Sequence, residues 1–129
     1  MNLRKKAENK CDEALREYVR FRDVPFGSLH FSCFVCENKL QKIYASVGHF
    51  RKRRHLATRW YPRNCHLICN SCQGEGNPEN EANYARRLDE VYGAGTAEAI
   101  TILSNRTVHY SLHELIDIQD GLIKLKNGL

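Results

Sequence analysis

The chain has 129 residues, of which 42% are hydrophobic, enough for about one domain with a modest core but not a large one. Its 20 Lys and Arg against 15 Asp and Glu leave a formal net charge of +5 and a pI near 9.0, which favours a polyanionic partner. No apolar run reaches the length of a membrane span and no secretory-signal pattern opens the chain, so a cytoplasmic location is expected.

Residues 4–22 are rich in Lys, Arg, Glu and Ala, and Ala7, Cys11, Ala14, Leu15, Tyr18 and Val19 recur at roughly helical spacing. This predicts an amphipathic first helix that ends before Pro25 and Gly27. From Leu29 to Phe50 the pattern turns to β-prone stretches, Leu29 to Ser32 and Lys42 to Val47, parted by a Glu37-Asn38-Lys39 turn. A hairpin with Cys33-x-x-Cys36 near its start is expected there. Residues 51–61 are basic and irregular, and Pro62 suits the first turn of a short helix leading through Asn64 and His66 to Cys69-x-x-Cys72.

Asn77 and Pro78 read as N-cap and first helical residue of a helix whose stripe, Tyr84, Leu88, Val91 and Tyr92, stops at Gly93. Thr96 is read as the cap of a helix through Leu103. Ser111-Leu112-His113-Glu114 has the capping-box pattern ahead of Leu115, Ile118, Leu122 and Leu125. No repeat, linker or low-complexity tract interrupts the chain.

Six cysteines in a reducing compartment do not normally pair, and two CxxC units point to metal more readily than to cross-links. Cys33, Cys36, Cys69 and Cys72 offer four thiolates in two tight turns, the donor set of a tetrahedral structural zinc site. The alternative is four unrelated buried cysteines. Cys65 is a substitute ligand if its segment is helical; for it and for Cys11 a buried apolar role is the leading reading. Charge is unevenly spread: no acidic residue occurs between Glu37 and Glu75, where Lys39, Lys42, Arg51, Lys52, Arg53, Arg54, Arg59 and Arg63 all fall. Such a run is either a solvated face or a set of phosphate contacts, which give affinity without base specificity.

The ordered motifs Cys33-Phe34-Val35-Cys36, Gly48-His49-Phe50-Arg51, Arg59-Trp60, Asn64-x-His66, Cys69-Asn70-Ser71-Cys72 and Gly76-Asn77 resemble the lambdoid-phage Rap/NinG recombination endonucleases. The resemblance covers about residues 31–118. It implies an α+β fold with a zinc-stabilised treble-clef, HNH-like ββα core at 29–76, preceded by a helix and linker at 1–28 and followed by a helical part at 77–129, all in a single domain. It also implies metal-dependent cleavage of branched DNA such as Holliday junctions and D-loops, in a bacterial host cytoplasm if the chain is phage-encoded.

In that reading His49 is the general base that takes a proton from the attacking water, and Asn64 holds the active-site turn. The alternative for His49 is a structural or DNA-contacting role, and for Asn64 a helix cap. A catalytic Mg²⁺ or Mn²⁺ is implied besides the structural Zn²⁺. Gln73 stands where the family usually has asparagine and is the first candidate ligand, with Glu75 and His66 ranked lower; Gly48 stands where many HNH enzymes place a ligand. Arg51, Lys52, Arg53, Arg54, Arg59 and Arg63 would clamp phosphates near His49. Trp60 is read as a packing anchor ahead of a base-stacking platform.

Junction cutting suits a homodimer, for which the apolar helical stripes offer an interface. Two other functions remain open: a noncatalytic zinc-knuckle DNA-binding recombination protein, and a zinc-stabilised protein-interaction adaptor.

Overall fold

The computed structural model describes residues 2–73 and 77–129. In chain order these residues form α1 (Leu3–Asp23), β1 (His30–Ser32), β2 (Lys39–Gln41), β3 (Ser46–His49), α2 (Leu56–Arg59), β4 (Cys65–Ile68), α3 (Pro78–Tyr92), α4 (Thr96–Ser104) and α5 (Leu112–Asn127). The fold is therefore mixed α+β, with two antiparallel two-stranded sheets, β1–β2 and β3–β4.

The first helix starts where Asn2 Oδ1 accepts the Lys5 N–H and buries Cys11, Asp12, Ala14, Leu15 and Val19 along one stripe. That stripe packs on α5, which contributes the buried Leu115 and Leu122. Burying each of Leu15, Val19, Leu115 and Leu122 stabilises the fold by roughly 1.5–3 kcal/mol. The Cys11 thiol donates to the Leu115 carbonyl at 3.1 Å, and Arg4 donates to the Tyr110 carbonyl at 2.6 Å. The two ends of the chain are thus one packing unit.

The expected Lys42 to Val47 strand is corrected by the structure. Lys39–Gln41 pairs with β1, Lys42–Tyr44 forms a 3₁₀ turn, and only Ser46 onward is extended, as β3 in the second sheet. The 3₁₀ turn swings the chain off the first hairpin, leaving Ile43 and Tyr44 exposed. The first hairpin encloses Cys33-x-x-Cys36, with Glu37 in the left-handed region at φ 63°.

A second correction falls before Cys69. Pro62–Asn64 makes a 3₁₀ turn as far as the proline predicts, but Cys65–Ile68 is a strand and not a helix. All four of its residues are buried, so neither face seeks solvent, and pairing with β3 satisfies one edge of its main chain. The C-terminus of α1 covers the other edge. Asp23 accepts the Leu67 N–H at 3.0 Å, and Arg22 donates to the carbonyls of Cys65 at 2.6 Å and Pro62 at 3.0 Å. Ion pairing between Arg22 and Asp23 holds this cover in place.

Asn77 caps α3 through the N–H groups of Glu79 and Asn80, and Gly93 ends it at φ 114°. The cap of α4 is Gly95, at φ 91° in the left-handed region; Thr96 is the first helical residue and donates its hydroxyl to the Gly93 carbonyl. The Ser111–Glu114 capping box is formed in full. No described helix is long and apolar enough to cross a membrane.

Candidate metal centre and the adjoining cleft

The β1–β2 hairpin and the turn after β4 bring the two CxxC units together. In the first, the Cys33 N–H donates to the Asn38 carbonyl and the Glu37 N–H to the Cys33 carbonyl, each at 2.9 Å; in the second, the Cys72 N–H donates to the Cys69 carbonyl at 3.1 Å. The sulfurs of Cys33, Cys36, Cys69 and Cys72 all lie within 4.8 Å of one another. Cys36 and Cys69 sulfurs are 3.8 Å apart, about the edge of a sulfur tetrahedron around a zinc with ~2.3 Å bonds. These four cysteines could hold a structural metal such as zinc.

The Cys69 N–H donates to Cys33 Sγ at 3.3 Å. Burial pushes the Cys33 thiol up, but main-chain N–H groups around it outweigh burial and bring it below the ordinary thiol range. Cys65 is a strand residue with no exposed surface, and burial raises its thiol. Burial likewise pushes Cys11 up to about 11. Neither belongs to the cluster.

Beside the cluster lies a cleft of about 470 Å³ with Cys72 on its wall. Its lining includes His49 from the end of β3, Lys52, Arg53 and Arg54 from the loop that follows, Gln73, and Asn80 and Glu81 from α3. His49 Nε2 lies 2.9 Å from the Arg59 carbonyl. A carbonyl only accepts, so Nε2 carries the proton and Nδ1 keeps its lone pair. Burial lowers the His49 pKa, and the positive charge of Arg53 and Arg59 adds to it against the Arg59 carbonyl and Asp12. The ring is therefore neutral at pH 7, as a base must be.

Asn64 is fully buried and ties this loop shut. Its Oδ1 accepts the Arg51 N–H at 2.8 Å, and its Nδ2 donates to the carbonyls of Arg51 at 2.9 Å and Thr58 at 3.1 Å. It holds the backbone that follows His49 and does not face the cleft.

His66 is not free to bind an ion, which corrects its place among the candidate ligands. Nδ1 lies 3.0 Å from the Tyr84 hydroxyl and Nε2 lies 2.8 Å from that of Tyr92. Tyr84 donates onward to the Gly48 carbonyl, so proton counting makes Nδ1–H a donor to Tyr84 and Nε2 an acceptor from Tyr92. Stacked on Phe34 with centroids 3.7 Å apart, the ring is a satisfied core histidine whose pKa burial drives down to about 2.

The six basic candidates separate into groups. Lys52, Arg53 and Arg54 line the cleft, Arg53 while its Nη2 donates to Asp12 at 2.7 Å. Arg51 donates to Ser104 at 3.0 Å and pairs with Glu81 at 3.2 Å. Arg59 is committed to Asp12, with Nε and Nη2 donating at 3.1 and 2.7 Å, and its side chain is only 14% exposed. Arg63 lies over the Tyr92 ring, away from the cleft lining. Trp60 is buried and donates its indole N–H to Asp12 at 2.8 Å, so it packs and offers no stacking face to a base.

Sequence reasoning missed Asp12, the buried carboxylate that gathers Arg53, Arg59 and Trp60. Its signal was an acid inside the apolar stripe of α1. Missed too were Asn80 and Glu81, whose helical positions gave no sign of lining one cleft with His49. Gln73 is exposed and lines the cleft, as a ligand requires, while Glu75 lies outside the described residues. At Gly48, an added Cβ would sit 2.2 Å from Ile68 Cδ1, so Ile68 fills the space a side chain would need.

Compared with family models, curated proteins and solved structures, the chain finds no match.

Proposed function

We propose that this protein is an HNH-like, metal-dependent DNA endonuclease acting on branched recombination intermediates. The ββα unit would be β3, β4 and α3, and the four cysteines would hold a structural Zn²⁺ in a treble-clef arrangement. The observation that carries the reading is His49 on the wall of a cleft lined also by Lys52, Arg53 and Arg54, with its Nε2–H fixed on the Arg59 carbonyl and its Nδ1 left unprotonated.

A phosphodiester drawn in by those cations would meet a neutral imidazole, which takes the proton of the attacking water at Nδ1. Asn64 positions His49 by fixing the loop at Arg51 and Thr58. The cleft's oxygen donors, Gln73, Asn80 and Glu81, suit a hard divalent cation such as Mg²⁺ or Mn²⁺, with Glu75 a further candidate. When bound, that cation supplies charge stabilisation at the phosphoryl and leaving oxygens.

A test is incubation of zinc-loaded protein and its His49→Ala variant with labelled four-way junction and matched linear duplex, in Mg²⁺, Mn²⁺ or EDTA. Junction-selective cleavage that requires both the ion and His49 is expected. One observation favours a second reading, a noncatalytic DNA-binding protein. Ile68 leaves no room for a ligand side chain at Gly48. Equal junction binding by both forms with no cleavage under any ion would select it.

A further inference from the structure

A second groove, of about 270 Å³, runs between α2 and the connection from α4 to α5. Its polar lining is Arg54, His55, Ser104, Asn105, Arg106 and Thr107, with no acidic residue. Arg54 also lines the cleft at His49, so the two depressions share a wall. We propose that this groove binds a DNA backbone phosphate at a nucleotide away from the one being cut, extending the track that leads to His49. The proposal rests on the nuclease reading and adds to it a second phosphate site.

Three observations carry it. First, two acid-free stretches, between Glu37 and Glu75 and between Glu98 and Glu114, meet here, joined by the Arg51–Ser104 hydrogen bond at 3.0 Å. Second, among the described residues neither Arg54 nor Arg106 pairs with a carboxylate, whereas Arg51, Arg53 and Arg59 all do. Unneutralised guanidiniums in a concave surface are the donors a phosphate seeks. Third, near the end of α4 the carbonyls of Ile102 and Leu103 are taken by the N–H groups of Asn105 and Arg106, and that of its last residue, Ser104, by the His55 ring, so none of the three meets an anion unpaired. The lowered pKa of His55, set by burial and then by Arg51 and Arg54, agrees with a positive local potential.

Binding of a fluorescent four-way junction and a matched duplex would be followed by anisotropy over a series of salt concentrations. Variants would be Arg106→Ala, Arg106→Lys and Arg16→Ala. The last carries the same charge change on the exposed side of α1. Arg106→Ala is expected to weaken binding about tenfold and to lower the slope of log affinity against log salt by about one. Arg106→Lys should restore the slope, and Arg16→Ala should leave binding within about twofold. Equal effects of Arg106→Ala and Arg16→Ala, in a protein that binds DNA, would overturn the groove alone. Failure of the wild-type protein to bind either DNA would overturn the nuclease reading and the groove with it.

Discussion

Asn64 and Arg51, 13 positions apart, close a two-way hydrogen-bonded ring: the Arg51 N–H donates to Oδ1 at 2.8 Å and Nδ2 returns a bond to the Arg51 carbonyl at 2.9 Å. A carboxamide donates and accepts in one plane, which an ionised carboxylate of the same size cannot do. Asn64→Asp removes both donors and turns a carboxylate toward two carbonyls. A loss of about 2–4 kcal/mol is expected, read by urea unfolding of the zinc-loaded protein. A change below about 1 kcal/mol would mean the ring does not hold the loop.

Metal binding is expected to divide the six cysteines. Cys69→Ala should lose the bound metal and the cooperative thermal transition, because the sulfur cluster joins the first hairpin to the turn after β4. Cys11→Ala and Cys65→Ala should each retain one zinc per chain by elemental analysis. Zinc lost from Cys65→Ala but kept in Cys69→Ala would reverse the ligand assignment.

Asp12 accepts hydrogen bonds from Arg53, Arg59 and Trp60 while its side chain is only 7% exposed. Asp12→Ala strands a largely buried guanidinium and an indole N–H, and should cost about 3–5 kcal/mol in a denaturant titration. Burial alone would raise the Asp12 pKa, but the Arg59 and Trp60 hydrogen bonds outweigh it and hold the carboxyl below its ordinary 3.8. A depressed folded pKa means the stabilisation is complete above pH 3.8 and is lost as pH falls through the lower folded value.

His66 gives a pH dependence in a different window. Its folded pKa, about 2, lies far below the ordinary 6.5, so between these values the unfolded chain binds the proton that the folded one refuses. Stability should be flat above pH 6.5 and fall by about 1.4 kcal/mol per pH unit below it. His49 contributes with the same sign, since its pKa is also lowered by burial. His66→Gln should flatten most of the slope between pH 6.5 and 5; an unchanged slope would place the acid sensitivity elsewhere.

Gly48 and Ile68 compete for one space, since a methyl added at Gly48 would fall 2.2 and 2.7 Å from Ile68 carbons. Gly48→Ala should cost about 1–3 kcal/mol by overpacking. Since Ile68→Ala opens the same space, the double variant should be more stable than the sum of the two losses implies. Strict additivity in the double-mutant cycle would show that the two sites do not touch.

The amino-acid sequence by itself determined the elements whose signals are local. Periodicity and caps located α1, α3 and α5, because the Asn77 cap, the Gly93 stop and the Ser111–Glu114 box act within one turn of the chain. The two CxxC units were legible for the same reason, since each is a self-contained turn. What only the tertiary structure decided were features made by partners far apart in sequence. Cys65–Ile68 became a strand because β3 and the end of α1 supply its main-chain partners. His66 became a core residue because two tyrosines of α3 reach its nitrogens. The basic run, uniform in the sequence, was divided by carboxylates at positions 12 and 81 into arginines spent on the fold and cations left for a ligand. Hydrogen bonds and ion pairs depend on distance in space, and that distance is set only when the helices pack with the two small sheets.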